Sequence, residues 1–148
     1  MVTQYGAKGT TLYVTAASSA WVEVGQISSI NAPGSNVGKR EVTTLSSSAK
    51  EYRPTVSDPQ EISGSIVYTN LDDGARQMYT YSISPPTSAQ TWSVTGVEFK
   101  IVLQTTTFFW RFPGFVTKFD PKAGDVEGTW MADFSIQPTG TITVPTTV

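Results

Sequence analysis

The sequence predicts one mainly β domain with a single helix covering part of a sheet or barrel. Three observations carry this expectation. Serine and threonine supply 38 of the 148 residues, and charged residues only 15%, well below the usual ~25%. With frequent Val and aromatic side chains and little Leu, Lys or Glu, that is a strand-forming composition. Several short runs alternate apolar and polar residues with a period of two, and only one stretch shows helical spacing. Twelve glycines and nine prolines separate these runs with turn-forming residues.

Gly9 to Thr15 (GTTLYVT) is a short β-prone run. Trp21 to Ile30 (WVEVGQISSI) alternates loosely, with Val22, Val24 and Gln26 on one side and Trp21, Glu23, Gly25 and Ile27 on the other. Neither side is clean, so β-branched content supports this strand as much as period does. Asn31 to Gly38 clusters turn residues, and Lys39 to Pro59 (KREVTTLSSSAKEYRPTVSDP) contributes almost nothing that could build a core. The expected form is a long loop over about 35–58, an excursion that a hairpin with a polar tip would also satisfy. Gln60 to Thr69 alternates most cleanly: Ile62, Gly64, Ile66 and Tyr68 against Glu61, Ser63, Ser65, Val67 and Thr69.

The helix is expected over about 71–83. Asn70 or Asp72 can cap it, Asp72 and Asp73 suit the positive end of its dipole, and Pro85-Pro86 stops it. Its apolar stripe, Leu71, Ala75 and Met78, is narrow, so it must dock on a sheet to be stable. Trp92 to Thr105 is the longest strand candidate, with Val97, Phe99, Ile101 and Leu103 on one face. Phe108 to Phe112 (FFWRF) reads as an aromatic strand broken by Pro113-Gly114 and resumed at Phe115 to Phe119. Asp120 to Gly128 reads as a turn-rich connection. Thr129 to Gln137 alternates again, placing Trp130, Ala132, Phe134 and Ile136 in the core, and Thr141 to Val144 is a last short strand. The total is seven or eight strands, with no internal repeat and no interdomain linker.

Absences narrow the function. The chain has neither cysteine nor histidine. This removes disulfides, thiolate and imidazole metal sites, cysteine nucleophiles and the Ser-His-Asp triad. No apolar run is long enough to span a bilayer as a helix, and the N-terminus lacks a charged-then-apolar signal pattern. A soluble, non-enzymatic domain is expected. The remaining acid-base groups, Glu23, Glu61, Glu98, Glu127, Asp125 and Asp133, are scattered, so a paired-carboxylate glycosidase is a weak reading. Four tryptophans and six tyrosines make a carbohydrate-binding module a better alternative. Arg111 within FFWRF suggests base stacking, but the formal charge of −2 and the lack of a basic cluster favour core packing for those rings.

The second faces of the best strands are more telling. In Gln60–Thr69 and Thr129–Gln137 they carry Ser, Thr, Val and Met with one acid each, Glu61 and Asp133. A face that is wet but sparsely charged suits the lining of a channel.

The order of GTTLYV, WVEVGQISSI, REVTTLSSSAKEY, EISGSIVYTNLDDGARQMY, WRFPGFV and DVEGTWMADFSIQPTGTITV resembles the tail tube (major tail) proteins of long-tailed, non-contractile bacteriophages (siphophages). Each motif is soft; their order and spacing over nearly the whole chain carry the likeness. The resemblance implies a β-sandwich or split-barrel tail-tube fold with a flanking helix, as one domain over residues 1–148 without an additional C-terminal immunoglobulin-like domain. It implies hexameric rings that stack into a tube conducting viral DNA, with no cofactor, no metal and no membrane partner. Expected partners are further copies of the chain, a tape measure protein, a tail terminator and distal tail or baseplate proteins. The expected location is the virion tail, after assembly in the host cytoplasm. Candidate pore-lining residues are Glu61, Ser63, Ser65, Asp133 and Ser135, the carboxylates repelling DNA phosphates. Candidate inter-ring residues in the long loop are Lys39, Arg40, Glu41, Lys50, Glu51 and Arg53. A type VI secretion-like tube protein would share the fold and hexameric habit but serve effector delivery, and is a rival reading beside the carbohydrate-binding module.

Overall fold

The computed structural model describes residues 9–15, 21–68, 73–83, 97–103, 108–124 and 128–144. Over these the chain runs β1 (Thr11–Thr15), β2 (Trp21–Val24), β3 (Gln26–Ile30), β4 (Ser35–Glu41), β5 (Tyr52–Pro59), β6 (Ile62–Val67), α1 (Asp73–Ile83), β7 (Glu98–Val102), β8 (Phe109–Ala123) and β9 (Trp130–Pro138). Seven strands form one antiparallel sheet in the order β2-β1-β7-β8-β9-β6-β3, and β4 and β5 form a separate ribbon.

The large sheet consists of two halves that share β8. Phe109–Pro113 pairs with β7, and Gly114–Ala123 pairs with β9. The expected break at Pro113-Gly114 and the expected turn from Asp120 are therefore one uninterrupted strand of 15 residues. Proline is tolerated because it falls where the chain exchanges partners, so no central ladder position loses a donor. The neighbouring groups are satisfied: the Gly114 N–H donates to the Val97 carbonyl at 3.1 Å, and the Pro113 carbonyl accepts from the Thr139 N–H at 2.9 Å.

Trp21–Ile30 shows the same device. Instead of one strand it forms two, β2 on β1 and β3 on β6, with Gly25 between them. Its untidy alternation has a physical cause, since the chain leaves one half-sheet and joins the other midway.

The core lies between the halves. Leu12, Val14, Phe99, Ile101 and Phe112 come from one side and Ile62, Ile66, Ala132, Phe134 and Ile136 from the other, none more than 1% exposed. Phe99 and Phe112 stack with ring centroids 5.8 Å apart. At ~25 cal/mol per Å² of apolar surface, this interlocked layer dominates the folding energy. The result is the expected mainly β sandwich with one flanking helix.

That helix packs against β1, β2 and β8. Ala75 and Met78 are fully buried, as their spacing predicts; Leu71 and the cap candidates Asn70 and Asp72 lie outside the described residues. Gly74 sits so close to β2 that a Cβ there would overlap the Glu23 carbonyl and come within 2.7 Å of Val24 Cα. The Tyr81 hydroxyl donates to the Thr15 carbonyl at 2.8 Å, and burial pushes its pKa up, which keeps the phenol protonated as a donor.

Two further expectations are corrected. Trp130 shares the core-facing parity of Ala132 but is 53% exposed, because β9 begins beyond the end of the packed core. Thr141–Val144 forms no strand; a single bridge joins Thr143 to Arg111. Of Trp92–Thr105, Glu98–Val102 is β7, and residues 92–96 and 104–105 lie outside the described residues. Arg111 is exposed and pairs with Glu98 at 2.6 Å.

Candidate functional site: a polar sheet face and a projecting arm

Along β6, Ile62 and Ile66 point into the core, so Ser63 and Ser65 point away from it. Register places Ser63 opposite Ser135 and Ser65 opposite Asp133. Four of the five candidate pore residues thus form one contiguous block on the outer face of the β8-β9-β6-β3 half-sheet. Glu61, exposed and one residue ahead of β6, continues that side. The Ser65 hydroxyl donates to Asp133 Oδ1 at 2.6 Å. Ser135 is mostly covered, at 8% exposure.

The structure adds residues to this face that alternation alone does not reveal. Asn31 Oδ1 accepts from the Ser63 N–H at 2.7 Å and from its hydroxyl at 3.2 Å. Ser29, Asn31, Ser63, Ser65, Lys118 and Asp133 line an open depression of about 460 Å³. Lys118 stands opposite Ser135, Asp120 opposite Asp133 and Lys122 opposite Met131. A register shift between Val116 and Lys118 hides these positions from the sequence. Val116 and Phe119 both point inward, at 6% and 8% exposure, although three residues apart, so a period of two misplaces everything after the bulge.

These lysines revise the electrostatics. Lys122 Nζ lies 3.1 Å from Asp133 and 3.4 Å from Asp120. With Lys118, Lys122, Asp120, Asp133 and Glu61 the face carries two positive and three negative charges. It is nearly balanced rather than purely acidic. The Ser65 hydroxyl, with the Lys122 ammonium second, holds the Asp133 carboxyl below the usual carboxylate range, and hydrogen bonds to Asp133 first and Asp120 second raise Lys122.

Because the folded-state pKa of Asp133 is depressed, its contribution to stability is present above the ordinary carboxylate pKa and is lost as pH falls through the folded value. Asp133→Asn is therefore expected to lower the melting temperature slightly at neutral pH and to leave it unchanged at a pH below the folded value, which flattens the acid limb of the profile. The effect is small, because the group is solvent-exposed. An unchanged acid limb would show that the Ser65–Asp133–Lys122 contacts carry no net stability.

The second feature is the excursion expected as a long loop over 35–58. It is an ordered β4–β5 hairpin that prolongs the β3–β6 ribbon. The Asn31 N–H donates to the Ser63 carbonyl at 3.2 Å and the Gln60 N–H to the Gly34 carbonyl at 2.8 Å, which links the two ribbons. Gln137 Nε2 fastens the root by donating to the Pro59 carbonyl at 3.0 Å. Every residue of Ser35–Glu41 and of Tyr52–Asp58 is exposed, so the hairpin projects from the body as an arm. At ~3.4 Å per residue its strands reach about 24 Å.

Lys39, Arg40, Glu41, Lys50, Glu51 and Arg53 are all exposed on this arm. Arg40 stands directly opposite Arg53, a like-charge pairing that costs stability in the isolated chain. Lys39 Nζ lies 4.9 Å over the Tyr52 ring. The arm also exposes apolar side chains that its charge concealed: Val37 at 57%, Tyr52 at 47%, Val56 at 87% and Leu45, at the tip, without cover. A projecting ribbon of basic and apolar residues has no catalytic geometry, but it has the chemistry of a contact.

No protein-family model and no curated protein sequence matches the chain. Its fold, however, matches solved structures over nearly the full length. A chain in the tail of an empty gene transfer agent particle, a helically refined assembly of C6 symmetry, superposes with a TM-score of 0.68 at 16% identity, covering 95% of this chain and 98% of that one. The chain has the tail-tube fold. The SPP1 tail tube aligns with a TM-score of 0.61 at 12% identity, over 93% of this chain and 77% of that one. A chain in the tube-terminating cap of the anti-feeding prophage gives 0.64 at 15% identity, over 97% and 95%. At these identities the architecture is shared while the surfaces are largely rewritten, so the polar face and the arm of this tail-tube fold must be read from its own residues.

Proposed function

We propose that the protein is a structural, non-catalytic subunit of a phage-like tail tube. Copies close into six-membered rings, the rings stack, and the outer face of the β8-β9-β6-β3 half-sheet lines the lumen through which DNA leaves the particle. One observation supports this most strongly: that half-sheet has a polar, hydroxyl-rich, nearly charge-balanced face and two unpaired edges. Among the described residues, β3 pairs only with β6, and Val116–Ala123 of β8 pairs only with β9. A ring of copies joins each β3 to the next copy's β8. The strand directions alternate from β8 to β3, so this seam is antiparallel and closure removes both edges. Six copies of four strands at ~4.8 Å spacing give a barrel about 37 Å across before strand tilt widens it, enough for a nucleic-acid duplex. A balanced, hydroxylated wall lets a polyanion pass without holding it.

In this role the protein resides in the virion tail, following assembly in the host cytoplasm. Its partners are other copies, a tape measure protein within the growing tube, and terminator and distal tail or baseplate proteins at the ends. The ring is tested by native mass spectrometry, which should show a species of six times the 16.0 kDa chain. Another closed stoichiometry would replace the six-fold reading, and monomer alone at high concentration would count against rings. A second reading also has support: a chain in the anti-feeding prophage baseplate superposes with a TM-score of 0.66 at 8% identity. The same fold therefore occurs in that system, and a type VI secretion-like tube protein is the alternative assignment.

A further inference from the structure

Open backbone edges decide what a β protein pairs with, and one edge of this fold is covered by a segment outside the strands. Beyond Pro138 the chain turns at Gly140, whose φ of 77° lies in the left-handed region that suits glycine. Residues 139–144 then run beside Phe109–Pro113 of β8. The Thr143 N–H donates to the Arg111 carbonyl at 2.8 Å, the Arg111 N–H to the Thr143 carbonyl at 3.1 Å, and the Thr139 N–H to the Pro113 carbonyl at 2.9 Å. The other edge of this stretch belongs to β7: the Leu103 N–H donates to the Phe108 carbonyl and the Gly114 N–H to the Val97 carbonyl, both at 3.1 Å. Even-numbered residues of Phe108–Gly114 thus turn their backbone groups to β7, and odd-numbered ones turn theirs to the 139–144 segment. Ile142 packs against the core, while Thr139, Gly140, Thr141, Thr143 and Val144 are exposed. The segment is a strap, lightly fastened along a strand edge.

The strand beneath it is the most self-adhesive in the chain. Thr105 to Phe112 (TTTFFWRF) is β-branched and aromatic, with one charge and neither proline nor glycine. That is the composition of a segment that stacks on copies of itself when its edge is open. Two features of β8 itself restrain this. Pro113 offers no N–H to the edge, and Arg111 places a charge in the run. The charge is a weak deterrent alone, because the guanidinium is paired with Glu98 at 2.6 Å and lies 5.4 Å over the Trp21 ring. The strap adds what is missing, since it occupies both backbone groups of Arg111 near the centre of the run. We infer that residues 139–144 are an edge guard, which keeps Phe109–Pro113 from pairing with the same segment of a second copy. Association is thereby left to the β3 and Val116–Ala123 edges. The guard does not depend on the tube reading, because an uncovered FFWRF edge associates whether or not rings form.

The test opens the edge in two ways. Thr143→Pro removes the N–H that donates to Arg111, at an exposed position outside the core. Replacing Thr141–Val144 by Gly-Ser-Gly-Ser removes the strap's strand propensity together with Ile142. Thr143→Val keeps the N–H and is the control. Both opened variants should lose hydrogen-exchange protection at the Arg111 amide and keep it at Phe112, on the β7 side. They should form irregular, thioflavin-positive fibrils at least ten times faster than wild type or Thr143→Val. Adding Phe109→Glu, which sets a second charge in the run where Lys100 Nζ now lies 5.5 Å over the ring, should suppress those fibrils. A folded variant that exposes the Arg111 amide yet aggregates no faster than wild type would overturn the guard. So would fibrils that Phe109→Glu leaves unchanged. Protection retained at Arg111 in both variants would mean that the strap is not what covers the edge. Loss of the fold in both would make residues 139–144 part of the fold rather than a guard on it. Either result overturns the inference. Hollow tubes are not the readout, so the ring reading stands or falls separately.

Discussion

Replacing Thr44–Ala49 by Asn-Gly is expected to abolish tube formation while leaving the fold and the single ring intact. The arm's strands stay in register up to the tip, because the Val42 N–H donates to the Glu51 carbonyl at 2.9 Å and Asn-Gly closes a two-residue hairpin without strain. What is removed is Leu45 and the cluster of hydroxyls around Thr44, which bonds to Ser46 and Ser47. None of these residues touches the core, so the melting temperature should hold within a degree or two, in keeping with surface changes of at most about 0.5 kcal/mol. The polymerised fraction, read by sedimentation, should fall at least tenfold. Tubes of normal abundance from this variant would remove the arm tip from ring stacking.

Gly74→Val is expected to give the largest loss of monomer stability. A side chain at this position meets the backbone of β2 at Glu23 and Val24, and backbone cannot swing aside as a flexible side chain can. Helix propensity works the other way, since most residues are better than glycine in a helix interior by up to ~1 kcal/mol. Overpacking typically costs ~1–3 kcal/mol, and displacement of α1 would also uncover Ala75 and Met78. The clash wins, with a net loss of about 2–3 kcal/mol, or about 4–12 °C in melting temperature for a chain of this size. Gly124→Ala is the control, since its added Cβ comes no nearer than 3.4 Å to any neighbour. A neutral or stabilised Gly74→Val protein would show that the helix docks differently.

Much of this architecture is legible in the sequence, and the failures share a cause. Alternation in Gln60–Thr69 identified the buried face of β6 and, with Thr129–Gln137, the polar block that Ser63, Ser65, Asp133 and Ser135 make. The helix was legible because Ala75 and Met78 recur at a spacing that only a helix turns to one side. Alternation fails wherever a strand changes partners or bulges. Gly25 divides one apparent strand between two half-sheets, Pro113-Gly114 marks an exchange rather than an end, and the bulge at Thr117 inverts the parity, since strict alternation from Val116 would turn Lys118 and Lys122 inward instead of onto the polar face. Trp130 misled for another reason: period assigns a residue to a side of a sheet but does not say where the packed layer stops. The arm's charge was plain from its composition, but its order was not. A ribbon with both faces in solvent has no period to read, and its pairing follows from continuity with β3 and β6.

The central claim is that this chain builds a hollow conduit. Negative-stain electron microscopy of the purified protein across a concentration series tests it most directly. The account predicts rings with a central hole at low concentration and long hollow tubes at high concentration, the lumen wide enough for duplex DNA. Compact monomers at every concentration, in the presence of end-on seeds from preformed tails as well as in their absence, would contradict it.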